Sequence, residues 1–228
     1  MKTLYLKKPY LEKRLSKELG NGQKKRKTCL KKVSIFLKSL INKNPQLLRI
    51  KKNVSLMEKA CSIFPFFIRI YCRLYQEVVK KEALLANINK KDVVLHIGCG
   101  AIPFTAIIIA DLFHAKVIAA DKDIKAVHMA KRCVEKIGFS NLIDVIACDC
   151  SQWVPDKFDI SIIALQAEPK EKIMDTIKDL GLKDIRIILR AASKSFKNHY
   201  DPLPTSYLYT AQIKQNMRTF DRSVLYVN

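Results

Sequence analysis

The segment from residue 93 to residue 113 constrains the fold of this chain more than any other. Val93–Ile97 is an apolar run suited to a buried parallel strand, and it ends in Gly98-Cys99-Gly100. A helix-compatible run, residues 106–113, follows at once. Glycines let a ligand approach bare backbone, and a helix N-terminus presents unpaired N–H groups. Gly-x-Gly also occurs in ordinary turns, so the flanking strand and helix are what indicate a ligand-binding unit.

The alternation of strands and helices continues to the end of the chain. Apolar runs predict strands at residues 93–97, 116–120, 144–148, 158–164 and 185–190. Amphipathic runs predict helices at residues 105–113, 124–137 and 169–180, and earlier at 33–41 and 74–85. Continuous apolar strands alternating with helices favour an α/β fold, a Rossmann-like, doubly wound and mostly parallel sheet. A last run, residues 223–227, predicts an edge strand, which is antiparallel if the chain returns by a hairpin-like path.

Positive charge is concentrated at the beginning of the chain. The formal net charge is +21, and residues 1–52 hold 17 Lys and Arg against only Glu12 and Glu18. We predict a basic helical N-terminal segment or cap over residues 1–88 and a ligand-binding domain over residues 89–228. The basic segment is either a solvated charged stretch or a site of weak, non-specific nucleic-acid contact, since no aromatic-interleaved RNA-binding motif accompanies it.

The cysteines and the apolar stretches indicate a cytoplasmic protein. The seven cysteines do not have the spacing of a disulfide framework, and the N-terminus does not resemble a signal peptide. Both observations indicate reduced thiols. Cys148-Asp149-Cys150 lacks a second cysteine pair or a histidine cluster to complete four ligands, so no metal site is predicted. The apolar stretch 61–79 contains Pro65, Arg69 and Arg73, which argues against a membrane span.

Acidic residues follow two of the predicted strands. Asp121 comes 21 residues after Gly100, where a carboxylate can accept hydrogen bonds from both hydroxyls of a ribose. Asp149 follows the third strand, where it can accept from the exocyclic amine of an adenine, with Ile124 and Trp153 on either side of the ring. Alternatively, such residues only cap the next helix, as we predict for Asp123. Their order behind the glycine turn favours the ligand interpretation.

The absence of two nucleotide-binding motifs limits the classes of ligand that this site could bind. A dinucleotide site needs a third glycine where this chain has Pro103, and no Gly-Lys-Ser/Thr phosphate loop occurs. An adenosyl ligand without a pyrophosphate, S-adenosylmethionine, fits better. The predicted cofactor-binding positions lie in the glycine turn or directly after strands: Gly98, Cys99, Gly100, Pro103, Thr105, Asp121, Lys122, Asp149, Cys150 and Ala164.

The glycine turn also resembles a known signature. Gly-Cys-Gly-Ala-Ile-Pro-Phe-Thr, residues 98–105, is similar to the Gly-x-Gly-Pro-Leu-Pro-x-Thr signature of nicotianamine synthases and related metallophore synthases, with Ala101 in place of the first proline. Residues 164–170 and 186–190 resemble the end of that family's fourth strand and its fifth strand. Residues 75–84 resemble the helix before its first strand. The likeness covers roughly residues 75–204.

The resemblance implies a class I methyltransferase fold that holds S-adenosylmethionine. Members of the family transfer its 3-amino-3-carboxypropyl group to an amine, with a glutamate and a tyrosine near the transferred group. Tyr75 matches the tyrosine, and Glu58 and Glu82 are the candidate glutamates. Arg190, at a strand end, is either a fork for the ligand carboxylate or one half of an ion pair. The predicted substrate-binding residues are Gln166, Arg190 and Tyr200.

Three functions remain open from the sequence. The first is aminocarboxypropyl transfer to a small-molecule amine or amino-acid-like acceptor, as in metallophore biosynthesis. The second is conventional methyl transfer to a small molecule or RNA. For methylation of a base nitrogen we expect an Asn/Asp-Pro-Pro-Tyr-like tetrad after the fourth strand, where the chain has Leu-Gln-Ala-Glu, residues 165–168. The third is a non-catalytic protein that binds an adenosyl ligand.

Overall fold

The computed structural model describes residues 65–227. The helices in this range are α1 (Pro65–Leu85), α2 (Phe104–Phe113), α3 (Ile124–Ile137) and α4 (Lys170–Lys178). The strands are β1 (Val93–Ile97), β2 (Lys116–Asp121), β3 (Ile143–Ala147), β4 (Ile160–Ile163), β5 (Arg186–Ala192), β6 (Ala211–Lys214) and β7 (Phe220–Val227). The helix predicted at residues 33–41 lies outside the described residues.

The strands form one seven-stranded sheet in the order β3-β2-β1-β4-β5-β7-β6. Strands β1 to β5 are parallel, and β7 runs antiparallel to both of its neighbours. The chain leaves β1 toward β2 and β3 on one side and then continues through β4 and β5 on the other. Ligands of doubly wound sheets bind at this switch point, beyond the carboxyl ends of the strands. The predicted Rossmann-like fold is confirmed.

The position of the last strand corrects one expectation. The run at residues 223–227 is antiparallel, as predicted, but it does not lie at the edge of the sheet. It belongs to β7, where Val224 pairs with Leu189 of β5 on one side and with Gln212 of β6 on the other. Burial of Val224, Leu225 and Tyr226 explains the interior position. The edge is formed by β6, four residues that alternate between half-buried and exposed.

Local capping fixes the ends of α3. The Asp123 carboxylate accepts a hydrogen bond from the backbone N–H of Lys125 at 2.8 Å, so the predicted N-cap is confirmed. Gly138 ends the helix in the left-handed conformation at φ 79°. Both α3 and β1 have the bounds that their periodicity predicts, whereas α1 begins nine residues before the predicted start at residue 74.

Helices cover both faces of the sheet. One face packs against α1, α2 and α3 in a core that includes Val79 of α1 and Val94 of β1. The other face packs against α4, whose Met174 is buried beside Leu95 of β1. Alternate residues of each strand therefore face opposite cores. The division of the chain at residue 88 stays a prediction. No helix between residues 65 and 227 is long and apolar enough to cross a bilayer.

Candidate functional site

A tight glycine turn connects β1 to α2 at the carboxyl edge of the sheet. Gly98 and Gly100 have φ angles of 78° and 67°, a conformation that disfavours residues with a side chain. The backbone N–H groups of Gly98 and Cys99 both donate to the carbonyl oxygen of Ala120 at 2.8 and 3.0 Å. A Cβ at Gly98 would lie 3.1 Å from the Cβ of Ala167. The turn is thereby held against β2 and against the segment after β4.

Asp121, the last residue of β2, is bonded to this turn. Its Oδ2 accepts from the backbone N–H of Gly100 at 2.8 Å, and its Oδ1 accepts from the N–H of Asp123 at 2.9 Å. Each carboxylate oxygen keeps further acceptor capacity, and the residue is half-buried. Asp121 is thus a fixed acceptor beside the glycine turn, as a ribose contact requires.

Asp149 lies two residues beyond β3 and organises its own turn. Its Oδ1 accepts from the backbone N–H and the hydroxyl of Ser151, and its Oδ2 accepts from the side-chain amide of Gln152. The two bonds from Ser151, aided by the charges of Lys122 and Lys172, lower the pKa of Asp149. The carboxylate is therefore ionised at neutral pH and able to accept from an amine.

Two large apolar side chains near these acids are exposed. Ile124, at the start of α3, is 62% exposed, and Trp153, in the turn after β3, is 59% exposed. Both side chains are therefore accessible to a ligand at the carboxyl edge. Their predicted contact with an adenine ring agrees with this exposure and stays a prediction.

Several predicted cofactor positions have buried side chains. Cys99, Pro103 and Ala164 are buried, and so is Cys150, whose Sγ lies 3.7 Å from that of Cys148. Burial raises the pKa of the Cys150 thiol. Because these side chains are enclosed by protein, a ligand at these positions would meet backbone atoms, while the side chain of Lys122 is exposed.

Arg190 is one half of a buried ion pair. Its Nε and Nη2 donate to Oε1 and Oε2 of Glu82 at 2.8 Å each, and Nη2 also donates to the Thr105 hydroxyl at 3.1 Å. Arg190 is 3% exposed, and Glu82 and Thr105 are fully buried. Of the two interpretations of Arg190, the structure shows the ion pair. The Glu82 carboxylate occupies the Nε and Nη2 donors of the guanidinium. The side chains of Glu82 and Thr105 are both buried, so Glu82 is not exposed to act as a base and Thr105 is not exposed to contact a cofactor.

Aromatic residues lie in the neighbourhood of the Glu82–Arg190 ion pair. The Tyr75 ring of α1 packs on that of Phe104, with centroids 4.0 Å apart. Tyr75 also interacts electrostatically with both Arg190 and Tyr200. Burial, then the charge of Glu168 and the coupling to Tyr75, raises the pKa of Tyr200. The structure therefore brings three of the predicted residues, Tyr75, Arg190 and Tyr200, into one neighbourhood.

Hydrogen bonds between the loops after β4 and β5 were not expected from the sequence. Glu168 precedes α4, and its carboxylate accepts the backbone N–H of Asp201 at 3.1 Å. The Asp201 carboxylate in turn accepts the N–H of Lys170 at 3.2 Å. The buried Lys170 ammonium donates to the Leu165 carbonyl oxygen at 3.0 Å. The two bonds of Asp201 join residues more than 30 positions apart, so they leave no local signal in the sequence.

The structure assigns no contact to two further predicted residues. Glu58 lies outside the described residues, and Gln166 is exposed in the segment after β4. Between residues 65 and 227, no group of three or more His, Cys, Asp or Glu side chains could hold a metal ion.

A cavity of about 730 Å³ opens at the opposite, amino-terminal edge of the sheet, beside Ala86, Asp159 and Arg186. Arg186 is bonded to Asp92 at 2.6 Å, and Asp159 accepts the N–H of Val93 at 2.7 Å. The glycine turn and the strand-end acids Asp121 and Asp149 therefore lie at the other edge of the sheet from this cavity.

Comparison with known proteins identifies the fold. No protein-family model matches the chain, and no curated protein matches it. A substituted MtNAS in complex with S-adenosylmethionine has 23% identity and a TM-score of 0.59 over 66% of this chain and 60% of that chain. A Salinibacter ruber RNA methyltransferase with S-adenosyl-L-homocysteine has 13% identity and a TM-score of 0.51, over 66% of this chain and 90% of that chain.

A third solved structure extends the likeness. The magnesium protoporphyrin IX methyltransferase of Synechocystis PCC 6803, with bound SAM, has 20% identity and a TM-score of 0.50 over 67% of this chain and 79% of that chain. The match spans only 58% of the MtNAS chain solved with MTA and tNA. The chain has the class I methyltransferase fold, and the resemblance found in the sequence is confirmed at the level of the fold.

Proposed function

We propose that this protein binds S-adenosylmethionine at the carboxyl edge of the sheet and transfers the 3-amino-3-carboxypropyl group to an amine. The observation that carries the proposal is the hydrogen bond from the Gly100 N–H to Asp121. It joins the glycine turn and the acidic strand end into one unit, with the open backbone and the carboxylate on the same edge. That is the combination an adenosine requires.

The proposed contacts follow from the chemistry of each group. Asp121 accepts from the ribose hydroxyls, and the ionised Asp149 accepts from the adenine amine. Ile124 and Trp153 contact the faces of the purine. The S-adenosylmethionine in solved structures of MtNAS and the protoporphyrin methyltransferase supports this ligand for a chain of the same fold.

The choice of transferred group depends on geometry. Displacement occurs at whichever carbon beside the sulfonium faces the nucleophile at near-attack distance, roughly 3–3.5 Å. The Pro-x-Thr signature at residues 103–105 and the matching Tyr75 favour aminocarboxypropyl transfer. Tyr75, Tyr200 and Gln166 lie on elements that reach the carboxyl edge, so we assign them to the side of the site that receives the acceptor.

The acceptor amine must lose a proton before it attacks, so a nearby base promotes the reaction. Glu82 is committed to Arg190, which leaves Tyr75 and Glu58 as the candidates taken from the resemblance. Glu168, whose charge acts on Tyr200, adds a carboxylate to the same neighbourhood. We propose a small-molecule amine or amino-acid-like acceptor, a metal-chelating product, and a cap role for residues 1–88.

The nucleoside left after turnover tests the transferred group. The protein is incubated with S-adenosylmethionine and candidate amines, and the products are separated by chromatography. Aminocarboxypropyl transfer leaves methylthioadenosine, whereas methyl transfer leaves S-adenosylhomocysteine. Binding without either nucleoside would favour a non-catalytic adenosyl-binding protein and contradict the proposal.

Binding of the donor is tested separately from turnover. Asp121→Ala should weaken S-adenosylmethionine binding by about 1–3 kcal/mol in calorimetry, because ribose hydroxyls lose their acceptor. Asp144→Ala removes an exposed carboxylate of β3 and serves as the matched control. Equal affinities for the two variants would remove Asp121 from the site.

One observation favours methylation of RNA as the second candidate. Residues 193–199 and 215–219 contain no carboxylate, and they are joined by hydrogen bonds from Ser193 to the carbonyls of Thr219 and Arg218. They expose Lys194, Lys197 and Arg218, together with the imidazole of His199. Such a surface suits a phosphodiester strand. RNA-dependent formation of S-adenosylhomocysteine would support this candidate, while weak RNA binding lost at moderate salt would leave only non-specific contact.

A further inference from the structure

The Arg190 guanidinium joins the candidate site to the helix that precedes the sheet. We propose that Glu82 of α1, Arg190 of β5 and Thr105 of α2 act as positioning residues that hold the N-terminus of α2 where it meets S-adenosylmethionine. This inference rests on the proposed function. It assigns the threonine of the Pro-x-Thr signature to the support of the site instead of to contact with the donor.

The geometry of the fork leaves little freedom. Glu82 holds the Nε and Nη2 groups of Arg190 through two parallel hydrogen bonds, and Ser223 of β7 donates to Glu82 Oε1 at 2.7 Å. The Phe220 ring lies 5.6 Å from the guanidinium carbon. A planar fork bound at two points has a fixed orientation. The second hydrogen of Nη2 is therefore directed at one place, which Thr105 Oγ1 occupies.

The first turn of α2 depends on this contact because its cap supplies none. Pro103 stands at the N-cap position and makes no side-chain hydrogen bond to the helix. Helices usually fix this end with a Ser, Thr, Asp or Asn side chain. Here the bond from Arg190 to Thr105, the second residue of α2, fastens the first turn to β5. The backbone between Gly100 and Thr105 is then fixed at both ends, by Asp121 and by Arg190.

The burial of the three residues argues that the contact is specific. Each is 3% exposed or less, so a missing partner could not be replaced by bulk water. An Arg190 hydrogen left without an acceptor in this environment carries the full desolvation cost of a charged group. Rotation of α2 away from β5 would leave that hydrogen unpaired, which opposes displacement of the ligand-facing backbone.

Thr105→Val tests the inference because valine has the shape of threonine without its hydroxyl. Thr105→Ser retains the hydroxyl and tests for rescue. Thr210→Val is the surface control, since Thr210 is exposed and its Oγ1 donates to the Leu225 carbonyl beside the edge strand. S-adenosylmethionine affinity is measured by calorimetry well below the unfolding midpoint of each variant. Amide hydrogen exchange of residues 98–106 is measured without ligand.

We expect Thr105→Val to raise the dissociation constant about tenfold. It should also speed exchange in residues 98–106 more than in the rest of the sheet. Thr105→Ser should stay within about threefold of the parent protein, and Thr210→Val should change neither readout. Unchanged affinity and unchanged local exchange in Thr105→Val, even with lower stability, would overturn the inference. Failure of the parent protein to bind contradicts the proposed function instead, and local exchange then decides the positioning role alone.

Discussion

Gly98 and Ala167 approach so closely that a Cβ on Gly98 would lie 3.1 Å from the Cβ of Ala167. Real Cβ atoms rarely come so near, and the Cβ of Ala164 would lie only 3.3 Å from the added atom. The turn after β1 therefore packs directly on the segment after β4, across the switch point of the sheet.

This contact predicts a difference between two glycine substitutions. Gly138 has φ 79°, nearly the 78° of Gly98, but a Cβ there meets nothing within 4 Å. Gly138→Ala should cost about 1–2 kcal/mol for the left-handed backbone alone. Gly98→Ala should cost about 1–3 kcal/mol more, because the added methyl group overpacks the turn. Urea unfolding of both variants gives the difference, and equal costs would contradict the close approach.

The buried Glu82–Arg190 pair predicts that replacing the Glu82 carboxylate by an amide strongly lowers the free energy of unfolding. Glu82→Gln keeps the shape of the side chain but leaves the Arg190 charge uncompensated in the core, which should cost about 3–5 kcal/mol of unfolding free energy. Glu77→Gln is the matched control on the same helix, because Glu77 lies 3.8 Å from Lys80 and is 56% exposed. That change should cost less than about 1 kcal/mol. Similar losses in urea unfolding would show that the buried pair contributes no more than a surface pair.

The burial of His96 leads us to predict that the stability of the protein depends on pH. Burial, reinforced by the charge of Arg190, lowers its pKa from 6.5 to about 3, and neither ring nitrogen has a hydrogen-bond partner among residues 65–227. Between these values the unfolded chain binds a proton that the folded chain does not. The free energy of unfolding should therefore fall with acidification, by about 2 kcal/mol from pH 7 to pH 5 through this group.

His96→Leu removes the titrating ring and should make the pH profile flatter by that amount. Urea unfolding of the parent protein and the variant at pH 7 and pH 5 provides the comparison. Parallel profiles would show that His96 does not remain neutral in the folded state.

Trp153 predicts an optical signal for ligand binding. It is the only tryptophan of the chain, and it is 59% exposed in the turn that follows β3. Contact with an adenine should shield the indole, shift its emission to shorter wavelength and lower its quenching by acrylamide. Methionine, which lacks the adenosine, is the control ligand. An unchanged spectrum at saturating S-adenosylmethionine would place the purine away from Trp153.

The elements with clear local signals were predictable from the sequence. Val93–Ile97 and Ile124–Ile137 have the bounds that their apolar runs and caps indicate. The parallel strands then bring Gly98, Asp121 and Asp149 to one edge, because every right-handed crossover returns the chain in the same direction. The interior position of β7 was not predictable, since it depends on a partner strand of only four residues, Ala211–Lys214.

The hydrogen-bond partners of buried polar groups could not be predicted from the sequence either. Arg190 could be read as a fork for a ligand carboxylate or as an ion pair, and its partner, Glu82, lies 108 residues earlier in the chain. Pairings of that separation depend on how α1 packs on the sheet, which no local pattern contains. Glu168 directly precedes the predicted helix at residues 169–180, and its carboxylate accepts the backbone N–H of the distant Asp201.

A crystal structure of the protein soaked with S-adenosylmethionine tests the central claim most directly. The account predicts density at the carboxyl edge, with the ribose hydroxyls within hydrogen-bond distance of Asp121 and the adenine amine at Asp149. Density in the cavity beside Arg186 at the amino-terminal edge, or a ribose that does not reach Asp121, would contradict it.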